Sequence, residues 1–284
     1  MNSILYRLIW FQHFHKAAGT SVTNLAVANN ESFYTQHKNG IPVLPQGKKG
    51  TVGGFNPWDF SDAELTKFVD HCEDSGVTFV ANEWGSVNFE VLAADPRVVL
   101  ITCLRDPLKR FLSNFYFDYW HGYDNVSSPQ AFMNVSKFSQ SDFYCKFLSR
   151  TEQAYKEKIG AEAFHTAKTN LLLFDHVVIL ESTHALHGLC NSLGWKEGLE
   201  LSQKNKTHRW DRSFVRSVLN GRFDLAFRRF SHPKRKPSDE FHAFFQQNNR
   251  FDIELYNFAK NNERVTTRAR RREVPTTDIT LDVY

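Results

Sequence analysis

A chain of 284 residues that is 41% hydrophobic and 23% charged has the length for a substantial core and too much apolar content to be a disordered polymer. Its net charge of +4 is too small for a nucleic-acid scaffold and suits an anionic ligand such as a nucleotide, with the basic excess gathered between Lys204 and Arg272. Cys72, Cys103, Cys145 and Cys190 are scattered and form no C-x-x-C pair, so neither a disulfide framework nor a metal site is expected, and no run of about 20 apolar residues marks a membrane span.

In chain order, the apolar run from Ile4 to Phe14 predicts a buried strand. It ends in His15-Lys16-Ala17-Ala18-Gly19, after which Thr20 and Ser21 open a helix that runs to about residue 30. A strand, a small-residue turn and a hydroxyl-rich helix start turn backbone N–H groups and the positive end of a helix toward an anion, and Lys16 adds a point charge. The usual nucleoside-triphosphate loop, G-x-x-x-x-G-K-[ST], is absent: here the lysine precedes the glycine. Taken alone, the stretch reads equally as a capped helix beside a solvated lysine. His13 and His15 alternate to the same side of the strand.

The Gly-, Pro- and Lys-rich stretch up to Phe60 predicts a long loop. Ser61-Asp62-Ala63-Glu64 is a capping box for a helix with Leu65, Phe68 and Val69 inward, and Val77–Ala81 is a second strand. Glu83 follows that strand's carboxyl end, where desolvation would raise its pKa toward working pH and suit it to be a general base; a helix cap or ion pair is its plainer role. After a helix from about Asn88, Val98–Leu104 forms a strand ending at Arg105, and Pro107 sits where a first helical turn accepts it. Arg105 offers a donor fork matched to phosphate, with Ser113 about two turns further on.

Residues 111–167 read as helical around an interrupting loop (HGYDNVSSPQ). Leu171–Leu180 reads as another buried strand, and a helix from Glu181-Ser182 runs through Leu186, Leu189 and Leu193 to Gly194-Trp195. Lys204–Arg209 is a basic loop, 239–260 one amphipathic helix, and 264–284 a basic tail with the composition of a frayed end behind a single domain over 1–263. Apolar strands alternating with helices predict an α/β fold, a central parallel sheet flanked by helices, with ligands outside the strands' carboxyl ends. Lys16, Glu83 and Arg105 all follow such ends.

HKAAGTS and RDPLKRFLSNFYF, in this order and each behind a strand, resemble the 5′-phosphosulfate loop and the 3′-phosphate motif of sulfotransferases that use 3′-phosphoadenosine 5′-phosphosulfate (PAPS). The strand-Glu-helix-Gly-Trp pattern and Asp252-x-x-Leu255-Tyr256-x-x-Ala259 are similar to the same family. The resemblance implies a P-loop-NTPase-like sulfotransferase fold, PAPS as donor, 3′-phosphoadenosine 5′-phosphate (PAP) as product, and no metal. It places Lys16 at the bridging oxygen, Ala18, Gly19, Thr20 and Ser21 on the 5′-phosphate, Arg105 and Ser113 on the 3′-phosphate, and Lys206 and Thr207 over the nucleotide. Arg110, on the same helix, is a further candidate for the nucleotide, with an ion pair to Asp106 or Glu90 as its alternative. Glu83 is implied as base, with His15 touching donor or acceptor. Trp84, Trp120 and His121 line an acceptor pocket or belong to the core, and the loops over 36–60 and 118–140 carry acceptor specificity.

The likeness is to the glycan (heparan/chondroitin-type) O-sulfotransferase branch, which implies a carbohydrate acceptor; a small metabolite such as an alkaloid or toxin, or peptide tyrosine, is the alternative. Outside this class stand a P-loop phosphoryl-transfer kinase and a non-catalytic PAPS-binding module. The partners expected are a nucleotide donor and a hydroxyl acceptor, with neither nucleic acid nor membrane. Placement is cytoplasmic, or in the Golgi lumen if a membrane anchor lies outside this sequence.

Overall fold

The computed structural model describes residues 6–33, 57–196, 212–234 and 236–262. Lys206, Thr207, residues 34–56, where a long loop was expected, and the expected tail over 264–284 lie outside the described residues. Four strands, β1 (Leu8–Gln12), β2 (Phe79–Asn82), β3 (Val98–Leu104) and β4 (His176–Ile179), form an all-parallel sheet in the order β2-β1-β3-β4. Each is nearly wholly buried, as expected for parallel strands covered on both faces.

The strands alternate their side chains between two cores. Leu8 and Trp10 of β1 and Leu100 and Leu104 of β3 meet α2 (Asp62–Asp74), α3 (Phe89–Ala94), α6 (Phe143–Leu148), α7 (Ala161–Leu171) and α12 (Arg250–Asn261). Ile9, Phe11, Ile101 and Cys103 face the other way, onto α1 (Gly19–Ala28) and α8 (Ala185–Leu193). A third cluster joins α4 (Pro107–His121) to α5 (Pro129–Phe132) and α11 (Asp239–Asn248) through Phe111, Phe115, Phe132 and Phe241. Of two further helices, α9 (Arg212–Leu219) and α10 (Phe223–Ser231), α10 packs on α4 and α9 packs on α10.

Several local expectations hold. The capping box forms, with the Ser61 side chain accepting from the Glu64 N–H and Glu64 accepting from the Ser61 N–H. Pro107 occupies the first turn of α4, and Asp106 caps it by accepting from the Lys109 N–H at 2.9 Å. All four cysteines are buried free thiols.

Other expectations are corrected. Leu171 ends α7, the next residues turn, and β4 begins only at His176: the apolar run splits between a helix end and a short strand. The helix expected from Glu181 begins at Ala185. The helix expected over 239–260 is two helices broken at Asn249. Long-range capping explains that break. Asp142 Oδ1 accepts from the Phe251 and Asp252 N–H groups, while Asp252 accepts from the Tyr144 and Cys145 N–H groups, so α6 and α12 cap each other's starts.

β1 is central because β2 lies on one side of it and β3 on the other. The chain therefore leaves β1 to one side for β2 and crosses back over it for β3. The carboxyl ends of β1 and β3 are therefore the switch point of the sheet, the place where open α/β sheets bind ligands.

Candidate functional site

The loop after β1 combines strained backbone with N–H groups unpaired among the described residues. Lys16 and Ala18 both take left-handed backbone conformations, with φ of 66° and 60°, which are costly for residues with a Cβ. Ala17 N–H donates back to the Phe14 carbonyl at 2.9 Å, closing the turn. Ala18 is the N-cap of α1 but offers no side-chain cap, and no acidic residue lies in the first turn. The N–H groups of Ala18, Gly19 and Thr20 have no hydrogen-bond acceptor among the described residues. A concave run of free N–H groups at a helix's positive end is an anion cradle. Thr20 is exposed and Ser21 half-buried at its mouth.

Gly19 is required here. A Cβ on it would stand 2.0 Å from Nε2 of His13, whose ring packs beneath the loop, stacked on Phe11. His13 is thus the cradle's floor, and burial lowers its pKa against the opposing pull of Glu83.

Arg105 reaches the cradle from β3. Its Nη1 donates to the Lys16 carbonyl at 3.3 Å, so the two strand-end turns predicted to hold the two ends of one ligand are in direct contact. The Tyr144 hydroxyl clamps the Arg105 backbone on both sides, accepting from its N–H at 3.0 Å and donating to its carbonyl at 2.9 Å. Glu181, just past β4, accepts from the Asp106 N–H and from the Tyr256 hydroxyl, fixing the turn that leads into α4. Ser113 lies one turn before Phe117 on the flank of α4 that turns toward the loop.

Lys16 sends its ammonium 3.8 Å above the Phe117 ring, a cation–π contact in a largely buried setting. Burial lowers its pKa to about 8, against the opposing pull of Asp118 and Glu83 and with help from Arg105. The ammonium makes no hydrogen bond or ion pair among the described residues.

Glu83 is brought to the same place by a buried amide pair. Gln12 and Asn82, at the ends of β1 and β2, hydrogen-bond each other, and both donate to the Gly85 carbonyl, which holds the turn between them. Glu83 Oε1 then lies 2.7 Å from His15 Nδ1 and 3.5 Å from His13 Nδ1. Here one expectation is corrected. Burial does push the Glu83 pKa up, but His13, His15 and Lys16 outweigh it and hold the carboxyl below its ordinary value. A carboxylate kept ionised is a weak base and a good orienter: it fixes the His15 tautomer with the proton on Nδ1, leaving Nε2 as the basic atom. That Nε2 has no partner among the described residues. The His15 ring is braced by Phe138 and by the edge of Phe117.

Arg110 is corrected too. It is buried, stacks 3.8 Å over the Phe143 ring and donates to the Phe138 carbonyl, pairing with neither Asp106 nor Glu90. Trp120 is core, with its N–H donating to the His232 carbonyl. Trp84 is half-buried, its carbonyl bound by Lys137, and His121 donates Nδ1–H to the Phe117 carbonyl at the far end of α4.

Phe117, Phe138, Tyr144 and Asp118 were not singled out from the sequence. Asp118 matters most. It follows Phe117 on α4, and its pKa is raised to about 6 because burial outweighs the attraction of His15 and Lys16. The folded protein therefore holds this proton more tightly than the unfolded chain, and the group's contribution to stability is lost as pH rises from about 4 to about 6. Asp118→Asn is expected to stabilise the protein at pH 7.5 by on the order of 1 kcal/mol, discounted for partial exposure, and to have no effect near pH 4. Urea unfolding at the two pH values checks this; equal effects at both would show that the carboxyl is not desolvated.

No family model matches this chain, and no curated protein matches it. Among the described residues no helix is long and apolar enough to cross a membrane, and no group of three His, Cys, Asp or Glu is placed to hold a metal ion.

Proposed function

We propose that this chain is a PAPS-dependent sulfotransferase with a P-loop-like sulfotransferase fold, acting on a hydroxyl. The observation that carries the reading is the contact between Arg105 and the Lys16 loop at the switch point of a parallel sheet. One nucleotide laid across that switch point would have its 5′ end in the cradle of Ala18, Gly19, Thr20 and Ser21 and its 3′-phosphate at Arg105 and Ser113.

Sulfuryl transfer, like phosphoryl transfer, needs positioning and charge stabilisation more than covalent help. The acceptor oxygen attacks sulfur as the bond from sulfur to the bridging phosphate oxygen breaks, and the electron pair of that bond leaves on PAP. Lys16 neutralises the charge arriving on the bridging oxygen. The acceptor's proton goes to His15 Nε2, with Glu83 stabilising the imidazolium across the 2.7 Å contact. A carbohydrate hydroxyl is the first acceptor class, because the motifs are most similar to the glycan branch; small polar metabolites and peptide tyrosine follow.

The test is a screen of desulfated glycans, phenols and polar metabolites with labelled PAPS, followed by Glu83→Gln on the best acceptor. That variant is expected to lower kcat by about a hundredfold or more and to leave PAP affinity within about threefold, the span of a lost base or its orienter. Retained turnover would move the base elsewhere. Failure to bind PAP at all would remove the reading.

A further inference from the structure

The pair α9 and α10 carries a feature that sulfuryl transfer does not use. On α10, Phe223, Phe227 and Phe230 form an apolar row at i, i+4 and i+7 and are 67%, 70% and 52% exposed, while Val215 and Leu219 of α9 are 53% and 80% exposed. Isolated exposed apolar residues are ordinary, but a row of three on one short helix with two more on its neighbour marks an interaction surface.

The row is not a loose end. Leu225 is buried against Gly122, whose φ of 74° ends α4, and a Cβ on that glycine would stand 2.8 Å from the Leu225 side chain. Arg228 donates to the Tyr119 and Asp124 carbonyls and stands 5.1 Å from the Tyr119 ring centroid. One side of α10 is therefore fastened to the end of α4, and its apolar row faces away.

Charge chooses among occupants. Residues 212–236 hold eight Arg and Lys against one Asp, a net of +7 in a chain whose total is +4. The one acidic residue, Asp224, is already paired with Arg222 at 3.0 Å. A second copy of this chain is a poor occupant, because a two-fold contact would set one +7 stretch against another. Exposed Phe, Leu and Val side chains on short helices, in a stretch of sequence rich in Arg and Lys, fit the boundary between acyl chains and anionic headgroups.

We propose that α9 and α10 dock this protein peripherally on a bilayer carrying anionic lipid, with Leu219, Phe223 and Phe227 entering the headgroup boundary. The sequence expectation of no membrane partner rested on the lack of a spanning run, which does not bear on surface docking. α4 connects the two regions, since its end anchors α10 while Phe117 and Asp118 face Lys16. The proposal stands whether or not the sulfuryl-transfer reading does.

The test is flotation of the full chain with vesicles of phosphatidylcholine alone or with about a third phosphatidylserine, in low and in 0.5 M salt. Association is expected to be at least about tenfold stronger with the anionic vesicles and to weaken strongly in high salt, where screening shortens to a few ångström. Leu219→Ser with Phe227→Ser, both at exposed positions, is expected to cut that association about tenfold or more with an unchanged melting temperature. Equal binding to both vesicle types, no binding to either, or an undiminished double variant would overturn the proposal. So would a native dimer that this variant converts to monomer, because the row would then be a self-interface.

Discussion

Lys16→Ala is expected to lower kcat/KM for transfer from PAPS by about a thousandfold, the upper range for deleting one preorganised charge donor at a developing anion. The ammonium is held over Phe117 without a hydrogen-bonding partner among the described residues, in a setting that lowers its pKa to about 8. The setting costs stability. A lysine whose folded pKa lies below its unfolded value destabilises the fold while charged, and that cost is relieved as pH rises from about 8 to about 10. Lys16→Met is therefore expected to raise the melting temperature at pH 7 while abolishing transfer, a pairing that separates function from folding. PAP affinity of the free protein should fall as pH climbs through about 8, and Lys16→Arg should remove that dependence. Near-normal turnover by Lys16→Ala would end the assignment.

Arg105→Ala is expected to weaken PAP by about a hundredfold and AMP by far less, with at least a tenfold difference between the two. A charge-assisted contact to one phosphate is worth on the order of 1.5–3 kcal/mol, which sets that range. Part of the loss will be shared by both ligands, because the Arg105 guanidinium also donates to the Lys16 carbonyl and steadies the cradle. The backbone of residue 105 keeps its Tyr144 clamp in the variant, so the turn itself survives. Titration calorimetry with the two nucleotides reads the difference. Equal losses would place Arg105 on the 5′ side or in a purely structural role.

The elements around both motifs were legible because their signals are local. The apolar runs over β1 and β3 leave little but buried strands, Pro107 with Asp106 announces the start of α4, and Ser61 with Glu64 announces α2. Sheet order was not legible, since nothing within β1 states that β2 and β3 flank it. Leu171–Phe174 has the composition of a strand, and only the continuation of α7 through Leu171 decides otherwise. The break at Asn249 depends on Asp142, more than a hundred residues away.

The site divides in the same manner. The cradle follows from a turn and a helix start, so Lys16, Gly19 and Thr20 were visible one residue at a time. Glu83 was located, but the direction of its pKa shift depends on His13, His15 and Lys16 converging on it from another strand. Asp118 and Phe117 were hidden in an aromatic-rich helix, where only the packing of α4 against the loop gives them a neighbour.

Calorimetric titration of the unmodified protein with PAP, set beside AMP, 3′-AMP and ATP, bears most directly on whether the switch point at β1 and β3 takes a doubly phosphorylated adenosine. The account predicts one site that binds PAP more tightly than any of the other three. Tighter binding of ATP, or a PAP affinity no better than that of AMP, would contradict it.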